Sequence, residues 1–194
     1  MRLLVLYSSS RRLPTAALVA LLGALALDLA GWAFWQGHVD IRSTSFAITL
    51  GVAAASVGLV GADVMLERTA ALRWWPRRAA HLIALGVVVT GFALAAAGML
   101  RSPAIPAEVI MRDVAGQVGL LGIGAVLLGG SFGWVVPLVS MMLPNLPIIS
   151  HDTTLGMGLT WLVQPSQSST ANLTGFIAAA VGLLAYSILG CRRS

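Results

Sequence analysis

The sequence predicts an all-α fold: a polytopic bundle of about six transmembrane helices with both termini in the cytoplasm. Of its 194 residues, 58% are hydrophobic and 10% are charged, and the mean hydropathy is +0.89. A soluble domain carries about 25% charged residues. Apolar stretches of about 20 residues, the length that crosses a bilayer, recur along the chain with arginines between them. We therefore expect a single transmembrane domain over residues 1–194, located in the cell membrane as a multi-pass protein.

Six apolar segments define the predicted spans. They lie at 14–35, 45–66, 79–100, 114–128, 132–146 and 171–189. The fourth and fifth come from one run, 114–149, that contains no Asp, Glu, Arg or His and is too long for a single crossing. Residues 129–133, Gly-Gly-Ser-Phe-Gly, predict a turn that divides this run in two.

Arginine placement predicts the orientation, because basic residues collect on the cytoplasmic side of a membrane protein. With the N-terminus inside, nine arginines fall on the cytoplasmic side and three outside. The nine are Arg2, Arg11, Arg12, Arg68, Arg73, Arg77, Arg78, Arg192 and Arg193. The three are Arg42, Arg101 and Arg112. An odd number of spans would move one terminal pair of arginines outside, so the bias favours an even number.

Polar and small residues within the spans predict how the helices meet. Asp28 and Gln117 are predicted to lie inside the membrane, where a polar group normally faces protein or a water-filled cavity. Asp28 is either a proton or substrate contact, or a hydrogen-bonded packing residue. Gly116, Gly119 and Gly122 crowd the fourth span and favour close helix packing, and we expect this packing within one subunit in preference to a dimer seam.

Several functions are excluded or disfavoured by composition. The chain contains no lysine, and a P-loop requires one to reach the nucleotide phosphates. No HExxH motif, cysteine pair or carboxylate cluster occurs in the sequence, so we expect no catalytic residues, no metal site, no intrinsic cofactor and no enzyme activity. The arginines do not form one basic stripe, and we therefore expect no nucleic-acid partner.

The connection between the second and third spans, residues 67–78, is the densest polar stretch. Trp74 and Trp75 suit a membrane interface, where the neighbouring arginines also act as positive-inside anchors. Asp63 and Glu67 lie four residues apart and share one helical face. Anchoring alone accounts for part of this composition, and the ordered charges and aromatics also suit a protein contact.

Residues 61–71, Gly-Ala-Asp-Val-Met-Leu-Glu-Arg-Thr-Ala-Ala, resemble small membrane subunits of actinobacterial ABC-2-like exporters. The resemblance also includes the stretches 9–14, 112–120, 161–165 and 182–186 and so covers nearly the whole chain. It implies a permease subunit that forms a homo- or heterodimer with a second permease subunit. It also implies a separately encoded ATP-binding cassette subunit that supplies ATP hydrolysis and docks on the 67–78 connection.

The hypothesised ATPase contact comprises Asp63, Glu67, Arg68, Arg73, Trp74, Trp75, Arg77 and Arg78. A chain without a P-loop must receive force through a cytoplasmic surface, and this connection combines charges, two large aromatics and attachment to two spans. A transporter permease is thus the leading hypothesis. The alternatives are a non-transporting membrane accessory or assembly protein, and an intramembrane enzyme or cofactor-binding protein.

Overall fold

The computed structural model describes residues 40–56, 74–99, 105–149 and 152–191. Within these residues every regular element is helical, which confirms the all-α class there. The α-helices are α1 (Ile41–Ala55), α2 (Trp75–Met99), α3 (Ala107–Leu128), α4 (Val135–Met142), α5 (Thr154–Leu159) and α6 (Ser169–Leu189). Short 3-10 helices follow α4 at Leu143–Asn145 and α5 at Trp161–Val163.

Three helices of the described part are long and apolar enough to cross a membrane: α2 over Trp75–Gly98, α3 and α6. They correspond to the predicted third, fourth and sixth spans. The helix α3 begins at Ala107 and not at 114, so its first two turns carry charged residues. The helix α1 covers the start of the predicted second span, and an Asp40 capping box fixes where it begins. The rest of that span and the first span lie outside the described residues.

The predicted fifth span at 132–146 is wrong as a full-length helix. The helix α4 has eight residues, and the 3-10 turn extends it to Asn145. Eleven residues of α-helix would rise about 17 Å, whereas the hydrocarbon core is about 30 Å thick. Pro144 ends the α-helical pattern because it has no N–H to donate to the carbonyl of Ser140.

The described helices pack around α3, which has 72% of its apolar 18-residue stretch buried, against 17% for α2 and 22% for α6. The helix α2 is antiparallel to α3, since Leu82 packs at Gly122 and Gly86 packs at Val118. The helix α6 is parallel to α3, because Gly182 meets Gly122 at one level and Gly175 meets Arg112 at another. We call the two ends of the bundle the Trp74 end and the Arg112 end.

The seam between α3 and α6 depends on glycine. A Cβ atom on Gly119 would overlap the backbone of Ala178, and one on Gly182 would overlap the backbone of Gly119. Small residues allow two helices to approach this closely in a membrane. The prediction that the glycines of the fourth span pack within the subunit is therefore confirmed for Gly119 and Gly122. The main apolar core joins α1, α2, α3 and α6 and includes Val52, Leu82, Leu121 and Tyr186.

Candidate functional site

A buried ion pair lies on α3 near the Arg112 end. Arg112 and Asp113 are 3% and 0% exposed, and the Arg112 Nε atom lies 2.9 Å from Asp113 Oδ1. Removing two charges from water costs several kcal/mol per ion unless attraction and hydrogen bonds compensate. The surroundings of this pair must therefore supply partners for its remaining donors and acceptors.

A serine from α1 reaches the carboxylate. Ser45, which is 0% exposed, has its Oγ atom 2.6 Å from Asp113 Oδ2 and 2.7 Å from the carbonyl oxygen of Leu162. A hydroxyl has a single proton to donate, so Ser45 serves one of these acceptors at a time. The contact joins α1, α3 and the connection between α4 and α6 at one point.

The guanidinium of Arg112 holds the connection between α4 and α6 in place. Its Nη2 atom donates to the carbonyl of Gln164 at 2.9 Å, and Nη1 lies 3.3 Å from both the Pro165 carbonyl and Asn172 Oδ1. The Asn172 Nδ2 atom in turn donates to the carbonyl of Ser166 at 2.8 Å. We call Ser45, Arg112, Asp113 and Asn172 the clamp, because Arg112 and Asn172 bind the carbonyls of residues 164–166, Ser45 reaches the carbonyl of Leu162, and Asp113 accepts from Ser45 and Arg112.

An aromatic anchor lies beside the clamp. Trp161 is 4% exposed, and the neighbouring Leu162 is 0% exposed. The Trp161 ring occupies the space that a side chain at Gly116 or Gly175 would need. The connection therefore does not lie as a loop on the surface: it enters the bundle between α3 and α6. Irregular backbone at such a depth needs buried partners, which the clamp provides.

Gln117 lies one helical turn beyond Asp113 and is 0% exposed, as expected for a polar residue inside the bundle. Its Nε2 atom donates to Ser140 Oγ on α4 at 3.3 Å. Its Oε1 atom is buried without a hydrogen-bond partner. An unsatisfied buried acceptor costs about 1–3 kcal/mol, so Gln117 is the least satisfied polar side chain beside the clamp.

The predicted ATPase contact is described only in part. Trp74, Trp75, Arg77 and Arg78 lie at the start of α2, whereas Asp63, Glu67, Arg68 and Arg73 lie outside the described residues, as does Asp28. Trp75 is 56% exposed, and the Arg77 guanidinium lies 5.4 Å from the centroid of the Trp74 ring, within cation–π range. Arg78 points elsewhere, towards Gly190 at the end of α6.

The clamp was missed by sequence reasoning. A criterion based on apolar runs begins the fourth span only after the last charge and therefore predicts Arg112 outside the membrane. In the structure Arg112 is buried and paired, so it no longer counts among the exposed outer arginines. A signal was present in the sequence, since adjacent opposite charges at the start of an apolar run can enter a helix together. The partners of the pair, Ser45 and Asn172, lie too far away along the chain to be assigned from spacing.

Chemically, the clamp is a positioning device. Both carboxylate oxygens of Asp113 and three nitrogens of Arg112 have partners, which leaves little capacity for a substrate. Among the described residues, no group of three or more His, Cys, Asp or Glu side chains could hold a metal ion.

The described part of the chain is thus an α-helical bundle with three helices long and apolar enough to cross a membrane and a buried polar clamp at one end. Comparisons with protein-family models, curated proteins and solved structures gave no match.

Proposed function

We propose that the chain is a multi-pass protein of the cell membrane that serves as the permease subunit of an ABC-type exporter, driven by a separately encoded ATPase. The main support for a separate ATPase subunit is that the 194 residues contain no lysine. The chain therefore cannot form the P-loop that binds ATP. The resemblance of the 61–71 stretch to exporter membrane subunits supports the transport role.

The proposed topology has both termini in the cytoplasm and six crossings. Support comes from α3 and α6 being parallel, because the chain must then return from the Trp74 end to the Arg112 end between them. The short helix α4 and the buried connection that follows it would make this fifth crossing. Broken crossings of this kind are tolerated where protein surrounds the backbone.

The proposed inner side is the Trp74 end. Arg77 is exposed there. Arg73 directly precedes Trp74 in sequence, and Arg192 and Arg193 directly follow Cys191. The exposed charged residues of the Arg112 end in the described part include Asp40, Glu108 and Asp152 as well as Arg42. The larger number of arginines at the proposed inner end agrees with the positive-inside rule.

The ATPase would dock on the connection before α2. Trp75 and Arg77 are its exposed described members, and the other proposed contacts are Asp63, Glu67, Arg68, Arg73, Trp74 and Arg78. Exposed aromatic and arginine side chains are enriched at protein interfaces. A second permease subunit would pack on outward apolar faces of the bundle, such as that of α6, where Phe176 and Ile188 are 63% and 70% exposed.

Co-purification tests this function. The tagged chain is solubilised from its native membranes, and its partners are identified by mass spectrometry and ATP hydrolysis. We expect an ATP-binding cassette protein with the wild type and with the control Arg42→Ala, which lies at the opposite end. We expect its loss with Trp75→Ala combined with Arg77→Ala, at unchanged insertion.

One observation favours a second function, a non-transporting membrane accessory or assembly protein. The charges of the clamp are occupied by the chain's own backbone, which suits a structural scaffold as well as a transporter. A stable complex with another membrane protein, purified without any ATP-hydrolysing partner, would favour this alternative and contradict the permease proposal.

A further inference from the structure

Arg78 lies in the first turn of α2, yet its guanidinium lies beside Gly190 at the end of α6. A Cβ atom built on Gly190 would lie 2.5 Å from the Cζ and Nη1 atoms of Arg78. The guanidinium therefore occupies the space that any side chain at position 190 would take. Gly190 also has a φ of 71°, a left-handed conformation that glycine adopts without steric cost. Both its conformation and its neighbour thus require glycine at this position.

The end of α6 is a place where a cation is stabilising. The last carbonyl groups of a helix carry partial negative charge, and arginine near them interacts favourably. The described last turn of α6 contains no basic residue of its own. The Gly190 amide donates to the Tyr186 carbonyl at 2.9 Å, and Tyr186, which is 4% exposed, belongs to the main apolar core.

Arg77, the neighbouring arginine, has a different position. Its guanidinium is over the Trp74 ring at the start of α2, and it is not among the atoms nearest to Gly190. The two adjacent arginines therefore offer a matched comparison: the same charge and nearly the same place in sequence, with only one of them against α6.

We infer that Arg78 is a positioning residue that caps the C-terminus of α6 from the neighbouring helix and so couples the 67–78 connection to α6. The α3–α6 seam extends this coupling, because Gly182 and Gly119 leave no room for α6 to slide independently. If the connection receives force from an ATPase, which rests on the proposed function, α6 would move together with α2. The capping contact itself requires no ATPase.

The single cysteine provides a reporter for this contact. Cys191 directly follows Gly190 and is partly buried against the main core. Loosening of the α6 end would expose its thiol, and the rate of maleimide labelling measures that exposure. The experiment uses the full chain purified in detergent, without any partner, under conditions where the protein is monodisperse.

We expect Arg78→Gln to raise the Cys191 labelling rate about two- to fivefold, the ratio that typical cation–helix-end attraction corresponds to. Arg77→Gln should label like the wild type. Gly190→Ala should also label faster, since it strains the backbone and displaces Arg78. Equal rates for Arg78→Gln and Arg77→Gln would overturn the inference.

If Arg78→Gln does not yield folded protein, Arg78→Met also removes the charge and keeps a long side chain, and an increase in its labelling rate over Arg77→Met is then expected. Equal rates for these two methionine variants would equally overturn it. Failure of ATPase co-purification with normal capping results would refute the proposed function and leave the capping contact in place.

Discussion

Replacement of Asp113 by alanine removes the carboxylate that Arg112 and Ser45 share. The hydrogen bond from Arg112 Nε at 2.9 Å is lost, whereas Ser45 Oγ can still donate to the carbonyl of Leu162 at 2.7 Å. A hydrogen bond to a charged group contributes about 1.5–3 kcal/mol, and the Arg112 guanidinium is also left buried without its counter-ion. Breaking a buried ion pair in this way typically costs about 3–5 kcal/mol. We expect Asp113→Ala to lower the free energy of unfolding by about 3–5 kcal/mol.

The assay is reversible unfolding of the detergent-solubilised chain by SDS, followed by tryptophan fluorescence, to which the buried Trp161 contributes. Glu108→Ala is the matched control, because Glu108 is an exposed carboxylate in the first turn of the same helix. Its loss should cost no more than about 1 kcal/mol. The double variant Arg112→Met with Asp113→Leu should be more stable than Asp113→Ala, since no unpaired buried charge remains.

A free energy of unfolding for Asp113→Ala within about 1 kcal/mol of the wild type, with Glu108→Ala behaving as expected, would contradict the burial of this ion pair. Such a result would mean that water reaches Arg112 once the carboxylate is gone, so that the guanidinium is not desolvated. The clamp would then be a surface ion pair, for which values near 0–1 kcal/mol are usual.

Two further predictions concern α3 and its neighbours. Gly182→Ala should destabilise the chain by about 1–3 kcal/mol through overpacking. The control Gly91→Ala on α2, where no atom lies within 4 Å of the new Cβ, should be neutral or up to about 1 kcal/mol stabilising. Similar effects of the two substitutions would contradict the close α3–α6 seam. Gln117→Leu should stay within about 1 kcal/mol of the wild type, because it removes the unsatisfied Oε1 acceptor together with one long hydrogen bond. A loss above about 2 kcal/mol in the same SDS assay would show that this acceptor has a partner.

The long helices could be predicted from sequence because lipid imposes a length and an apolar composition on each of them. The helices α2, α3 and α6 follow the predicted third, fourth and sixth spans, with α3 beginning earlier. That early start could not be predicted, since the apolar-run criterion excludes Arg112 and Asp113, and their burial depends on Ser45, 68 residues away from Asp113.

The prediction of a full-length fifth span is wrong for two reasons, one local and one tertiary. Locally, Pro144 stops α4, a signal that hydropathy alone does not weigh. In the tertiary structure, part of the connection between α4 and α6 is buried in the bundle, with Trp161 at 4% and Leu162 at 0% exposure. Two of its polar side chains bond within the connection itself, since Gln164 Nε2 donates to Thr160 Oγ1 at 3.0 Å and Thr160 Oγ1 donates to the carbonyl of Gly156 at 2.8 Å.

The most direct test of the proposed membrane topology is to measure which side of the membrane each end of the bundle faces. In a Cys191→Ser background, Gln167→Cys marks the Arg112 end and Ser131→Cys marks the Trp74 end, since both native residues are exposed. The 22 residues of α3 separate these ends by about 33 Å. In intact cells, an impermeant maleimide should label Gln167→Cys, and Ser131→Cys should react only after permeabilisation. Labelling of Ser131→Cys in intact cells, or of both positions from the same side, would contradict a membrane-spanning bundle with its basic end inside.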